Sequence, residues 1–196
     1  MNDRDTLDRF NSYRERVDAL VGAVSVAEDI EPRERGDGRV AALVYAGTPG
    51  PGYVTGFTYG LSLVPRPDWG AVARELAITV RSDDVEWCRV PARIVAALRG
   101  LGPSFRSGEV FGHVGRYVAD SAMNSVVLGS PVIGGAGPLD LASGRGATGE
   151  ADLVEILGVY PIHATEREYV QTHGAEALWR LGWDRVDPGR PSAVRT

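Results

Sequence analysis

Few side chains in this sequence are placed to do chemistry. Ser62 lies in Gly60-Leu61-Ser62-Leu63-Val64. A hydrolase nucleophile elbow needs a strained turn with glycine on both sides to present the hydroxyl. The second glycine is missing, so Ser62 reads as a serine at a strand end. Cys88 sits between Trp87 and Arg89. An adjacent cation can lower a thiol pKa, but a lone cysteine usually packs as a small hydrophobe. The histidines are His113, His163 and His173, with no i, i+4 pair and no H-E-x-x-H spacing. They therefore read as structural rather than as a metal set or a base.

Gly144-Arg145-Gly146-Ala147-Thr148-Gly149 is a literal G-x-G-x-x-G. A dinucleotide site needs those glycines between a strand and the start of a helix that meets the pyrophosphate. Here Leu139-Asp140-Leu141-Ala142 is a poor strand, and the apolar run after the motif reads as a strand. The glycines read as loop, and no cofactor and no metal is expected. Carboxylates cluster at Asp83, Asp84 and Glu86, at Glu150, Asp152 and Glu155, and at Glu166 and Glu168. Such pairs can do acid–base work. Each group begins or precedes a regular element, where carboxylates also stabilise exposed N–H groups. Of the aromatics, Trp69 lies in a proline-flanked loop beside Asp68 and Gly70. It is expected to be exposed, and with Asp83 and Asp84 it forms the expected partner-binding set. No catalytic constellation survives.

The elements that would position these residues follow from periodicity. Thr6 to Val24 carries apolar residues at Leu7, Phe10, Tyr13, Val17, Leu20, Val21 and Val24, an amphipathic helix that should pack on the core. Glu28 to Gly38, charged and broken by Pro32, reads as loop. Arg39 to Ala46 and Tyr53 to Tyr59 read as a hairpin around the Gly/Pro turn between them. Glu75 to Val80 is expected to be a half-buried strand. Pro91 should open the next helix, where its missing N–H costs nothing. Ile94, Val95, Leu98 and Leu101 then form its apolar stripe. Val110 to Val118 and Ser125 to Leu128 read as short strands, and Gly129 to Gly149 as a long loop. Leu153 to Tyr160 has the apolar run of a strand covered on both faces, ended by Pro161. Thr165 and Glu168 have the spacing of a capping box for a helix running to Leu181 and stopped by Gly182.

Without regular βαβ alternation, these elements predict an α+β single domain, a mixed or largely antiparallel sheet with helices packed on its faces. The chain divides as an N-terminal helix and linker over 1–38, one globular unit over 39–192, and a tail over 193–196. At 196 residues, with 43% hydrophobic and 24% charged residues, it can bury a proper core, about 70% of its unfolded surface. The net charge of −5 argues against non-specific nucleic-acid binding and suits a basic partner. All 21 cationic residues are arginine, which excludes lysine-dependent chemistry. No apolar run approaches the roughly 20 residues of a membrane span. The charged start Met1-Asn2-Asp3-Arg4-Asp5 lacks the apolar core of a signal peptide, and a cytoplasmic location is expected.

The blocks Val159-Tyr160-Pro161-Ile162, His173-Gly174-Ala175-Glu176-Ala177-Leu178 and Asp187-Pro188-Gly189-Arg190-Pro191-Ser192, preceded in order by Thr58-Tyr59-Gly60-Leu61-Ser62 and Arg74-Glu75-Leu76-Ala77-Ile78-Thr79-Val80-Arg81, resemble the suppressor-of-fused (SUFU-like) domain. The resemblance runs from about residue 40 to 192. It implies a protein-binding module. The family's bacterial members are associated with polymorphic toxin systems, as immunity proteins of the antitoxin type that sequester a cognate toxin. The resemblance places no functional residue on this chain. A toxin partner with a basic domain would suit the acidic balance. The alternatives left open are a small-molecule binder or hydrolase that uses Gly129–Gly149 as a lid over His113 or His163, and a regulatory scaffold.

Overall fold

The computed structural model describes residues 3–33, 38–64, 66–112, 116–142 and 151–194. An N-terminal helix, α1 (Asp3–Val21), is followed by strands β1 (Val26–Ile30), β2 (Val40–Ala46), β3 (Tyr53–Tyr59) and β4 (Val72–Arg81). Two short 3-10 turns, Leu61–Leu63 and Pro67–Trp69, fill the β3–β4 connection. Helix α2 (Glu86–Leu98) leads to β5 (Val110–Gly112), β6 (Ser125–Gly129), β7 (Leu139–Asp140) and β8 (Leu153–Ile162). Helices α3 (Ala164–His173) and α4 (Ala175–Trp179) precede the tail.

The strands form one sheet in the order β1-β2-β3-β4-β8-β6-β5, with β7 pairing β8 off this path. Every pairing is antiparallel except β4 with β8. The sheet is therefore mixed and the domain α+β, as expected.

Alternation along the strands sorts the core onto two faces. In β2, Val40, Ala42 and Val44 join the cluster under α2, which supplies Trp87, Val90, Ile94 and Val95. Their neighbours Ala41, Leu43 and Tyr45 join the cluster under α1, which supplies Phe10, Tyr13 and Val17. The same alternation runs through β6. Val126 and Leu128 lie on the α2 face, and Val127 faces α3 and α4 with Tyr160 and Ile162. So α2 covers one face, and the other is shared by α1 and the α3–α4 pair. Contact with α2 is close because Gly56 of β3 lies beneath it. A Cβ there would stand 2.4 Å from the Cys88 carbonyl oxygen and 2.6 Å from its Cα.

Several expectations are corrected. β1 overlaps the start of the segment read as loop, at Glu28 to Ile30. It is an edge strand with one neighbour, where charges such as Glu28 and Asp29 are tolerated and guard the free edge. β4 is buried on both faces from Glu75 to Val80 rather than half-buried. Helix α2 begins five residues before Pro91, at Glu86. Asp84 accepts the Glu86 backbone N–H at 2.9 Å and starts the turn, so Pro91 sits inside the helix. Leu101 lies beyond the helix and is exposed.

β8 runs through Pro161 to Ile162. Its register with β4 ends at Gly158, so at Pro161 only β6 is a neighbour and one side needs no donor. The helix that follows is capped two residues earlier than expected, at His163 instead of Thr165. The Glu166 carboxylate accepts the His163 N–H at 2.9 Å, and Thr165 is already helical. It then breaks at Gly174, whose φ of 81° separates α3 from α4.

Candidate interaction surfaces

Among the described residues, Cys88, Ser62 and His163 are engaged in holding the fold. Cys88 is buried, and burial pushes its thiol up to about 12. Ser62 accepts a hydrogen bond from Arg9 Nη1 at 2.9 Å, and Arg9 also donates through Nε to Asp152 at 2.8 Å. His163 caps α3 and its Nε2 lies 2.9 Å from the Arg190 carbonyl. The His173 ring packs on Tyr169, with centroids 4.5 Å apart. His113 and the G-x-G-x-x-G glycines at 144–149 lie outside the described residues, as does Glu150. Within Gly129–Gly149, β7 pairs with β8 and ties the described part of that segment to the sheet.

The buried carboxylates are satisfied as structural groups are. Glu75 accepts bonds from the Thr58 hydroxyl at 2.5 Å and from the backbone N–H groups of Gly60 at 2.8 Å and Ser62 at 3.0 Å. It thereby fixes the turn after β3. The buried Arg99 donates to the carbonyls of Gly38 at 2.6 Å and Gly60 at 2.9 Å, joining that turn to the segment before β2. Among the described residues, no group of three or more His, Cys, Asp or Glu side chains is placed to hold a metal ion.

Of the expected partner-binding set, the structure separates Trp69 from the two aspartates. Trp69 is 8% exposed. Its Nε1 donates to the Ser104 carbonyl at 2.8 Å, with the Arg66 and Arg74 guanidiniums 5.8 and 5.4 Å from its ring centroid. The loop's proline and glycine signalled a turn, but the indole closes onto the core, so it is not an exposed anchor. Asp83 and Asp84 are exposed between β4 and α2. Nearby, Arg81 pairs with Asp184 at 3.1 Å and takes the Val186 carbonyl on its backbone N–H at 2.7 Å. The β4 tip thus presents Asp83, Asp84 and Asp184 around one arginine.

A surface that motif reading did not single out lies on α2. Arg93 and Ala97, four residues apart, point outward at helical spacing. A cleft of about 230 Å³ opens on one side of them, lined also by Ile94, Leu98, Gly112, Arg116 and Tyr117. A second, of about 200 Å³, opens on the other side toward Ile30, Glu31, Arg33 and Ala96. The i, i+4 placement of Arg93 and Ala97 is visible in the sequence; the opposite walls come from β5 and from the end of β1, and are not.

Geometry and topology together define an α+β domain on one mixed sheet, with the buried carboxylates Glu75 and Glu166 engaged internally. The family model for suppressor of fused protein (SUFU) matches residues 36–191, and the chain belongs to that family. A solved suppressor-of-fused homolog from Neisseria gonorrhoeae superposes with a TM-score of 0.70 at 16% identity, covering 97% of this chain and 99% of that one. Drosophila Suppressor of Fused gives 0.68 at 9% identity over 95% of this chain, which spans 51% of the Drosophila chain. A chain of the Sufu-Fu complex gives 0.66 at 9% identity, with 93% and 91% covered. No curated protein matches at the sequence level. Among the described residues no helix is long and apolar enough to cross a membrane.

Proposed function

We propose that this chain is a bacterial immunity protein of the antitoxin type, a non-catalytic binding module that sequesters a cognate toxin in the cytoplasm. The observation that carries the reading is membership of a family whose fold occurs in the Sufu-Fu complex, where one partner is a suppressor-of-fused protein. The state of the reactive groups supports it. The only cysteine is buried with its thiol pushed up, Ser62 is held by Arg9, and His163 is spent on a helix start.

The β4 tip is the proposed contact. Asp83 and Asp84 are exposed, short and held near the rigid start of α2. Acidic groups so placed would steer a basic toxin domain and speed its capture. An interface of ordinary size needs about 800 Å² from this side, so the aspartates would be part of a wider footprint.

Co-expression with the products of neighbouring genes tests the reading. One of them should arrest growth alone, be neutralised by this chain, and co-purify with it. The double variant Asp83→Arg/Asp84→Arg should lose neutralisation while keeping its circular dichroism and melting temperature. If no neighbouring product binds or is neutralised, the immunity role fails. If neutralisation survives the charge reversal, the assignment to the β4 tip fails.

A further inference from the structure

The two clefts on α2 share Arg93 and Ala97, so they form one saddle-shaped surface with a low ridge between two hollows. Its floor is apolar. Ile94, Leu98 and Tyr117 line one hollow, and Ile30 and Ala96 the other. One turn past α2, Leu101 is 55% exposed, extending the apolar stripe beyond the helix.

The rim is positive although the chain is negative. Arg93 stands on the ridge, Arg116 on one wall and Arg33 on the other. Behind Gly112, which lines the first hollow, the Arg167 guanidinium occupies the space a side chain would take, with Nη1 2.1 Å from the position of a Cβ. Its Nε is buried without a hydrogen-bond partner among the described residues. Among the described residues, Glu31 lines the second hollow, Glu86 binds both Arg93 at 2.6 Å and Arg89, and Glu28 is neutralised by Arg89. Arg33, Arg93 and Arg116 against Glu31 and Glu86 leave the described rim cationic.

Apolar hollows inside a cationic rim match a ligand with the opposite arrangement. We propose that this saddle is a docking site for an acidic amphipathic segment of a partner protein, with apolar side chains seated on either side of Ala97 and carboxylates on the rim arginines. Two hollows separated by a ridge suit an extended or helical segment with successive anchors better than one compact small molecule. Arginine is the apt rim residue, because its planar fork grips carboxylates through paired N–H donors. The site goes beyond the immunity reading and is spatially and electrostatically unlike the acidic β4 tip. It holds whether or not the partner is a toxin.

The test uses the full chain as bait for a random peptide library displayed on phage. Selected peptides are synthesised, labelled and titrated by fluorescence anisotropy against the wild type, Ala97→Glu and Arg116→Glu. Ala97 is exposed, and among the described residues the Arg116 guanidinium donates to the Ala119 carbonyl of its own turn, so neither change should disturb the fold. Melting curves check this. The selected sequences should combine leucine, isoleucine or aromatic anchors with aspartate or glutamate. Each variant should weaken them about tenfold or more, and added salt should weaken wild-type binding. The proposal is overturned if the library yields nothing, yields neutral or basic peptides, or yields binders indifferent to both variants. It is also overturned if sedimentation shows the chain self-associating through this face and Ala97→Glu dissociates it, since the occupant would then be a second copy.

Discussion

Arg190 in the C-terminal tail makes a two-pronged ion pair with Glu166 at the start of α3, Nη1 to Oε1 at 2.5 Å and Nη2 to Oε2 at 2.8 Å. Glu166 is fully buried and the Arg190 side chain is 6% exposed. The carboxylate also accepts the backbone N–H groups of Ala193 at 2.7 Å and His163 at 2.9 Å. Two stretches far apart in sequence, the helix start and the last turn of the tail, are held by one carboxylate.

Removing either partner would strand a buried charge, so Glu166→Gln and Arg190→Met should each cost about 3 kcal/mol, read from urea midpoints at neutral pH. The pair also sets an acid limit. Burial alone would raise the Glu166 pKa, but the bonds from Arg190, Ala193 and His163 outweigh it and leave the group below its ordinary value. A depressed folded-state pKa contributes stability that is complete above the unfolded value of about 4.3 and disappears as pH falls through the folded one. Wild-type stability should therefore fall more steeply below about pH 4 than that of Glu166→Gln. Equal slopes would show that the pair has no part in acid unfolding.

Gly56 should tolerate no side chain. The Cβ of an alanine would meet helix backbone at 2.4 and 2.6 Å, and backbone cannot rotate aside as a side chain can. Gly56→Ala should lift α2 from β3 and cost about 3 kcal/mol or more, with a drop in melting temperature and in near-ultraviolet dichroism. Gly47→Ala offers the contrast. It has nothing within 4 Å, and its penalty comes only from a φ of 71°, about 1 kcal/mol.

How much of this was legible beforehand depended on whether the signal was local. The β2–β3 hairpin, β4, β8 and the amphipathic α1 follow from periodicity, because burial on one or both faces leaves its mark on consecutive residues. β1 did not, since an edge strand with Glu28 and Asp29 has a loop's composition. The early start of α2 was hidden because Pro91 has a stronger local signature than the Asp84 bond to Glu86. The burial of Trp69 is hidden for a related reason: whether a loop indole faces water depends on the Ser104 carbonyl and on Arg66 and Arg74, which are remote or uninformative in sequence. The α2 saddle needs three separate segments to exist at all, so no motif announces it.

Cys88 should be chemically silent in the folded chain. Its thiol is buried beside the α2–β3 contact and pushed up to about 12. At pH 8 a thiol reagent should label it only as fast as the chain opens, and at full speed in urea. Because the folded value is raised, the neutral thiol contributes stability that is whole below the unfolded value of about 8.5 and is lost as pH climbs toward 12. Cys88→Ala should flatten that alkaline loss. Prompt labelling of the native chain at pH 8 would instead mean an accessible thiolate, and would reopen cysteine chemistry.

Helix α1 should prove inseparable from the sheet beneath it. Phe10, Tyr13 and Val17 are buried against Tyr59, Leu43 and Ala41. The Phe10 ring meets Tyr59 edge-on at 5.1 Å, and Tyr13 lies 5.4 Å from the same ring. Polar clasps stand at either end of the contact. Arg9 reaches Asp152 and Ser62, and Asp18 accepts from the Tyr45 hydroxyl at 2.6 Å and the Ser25 N–H at 3.0 Å. Tyr13→Ala should cost about 3 to 5 kcal/mol, as large aromatic truncations in a core do. A chain beginning at residue 39 would expose this apolar face of β2 and β3 and remove β1 as well. It should aggregate or unfold, as light scattering and amide exchange would show, whereas adding a synthetic peptide of residues 1–30 in trans should restore protection in β2 and β3. A stable, monomeric 39–196 fragment would mean that the helix is an appendage and that the domain proper begins at β2.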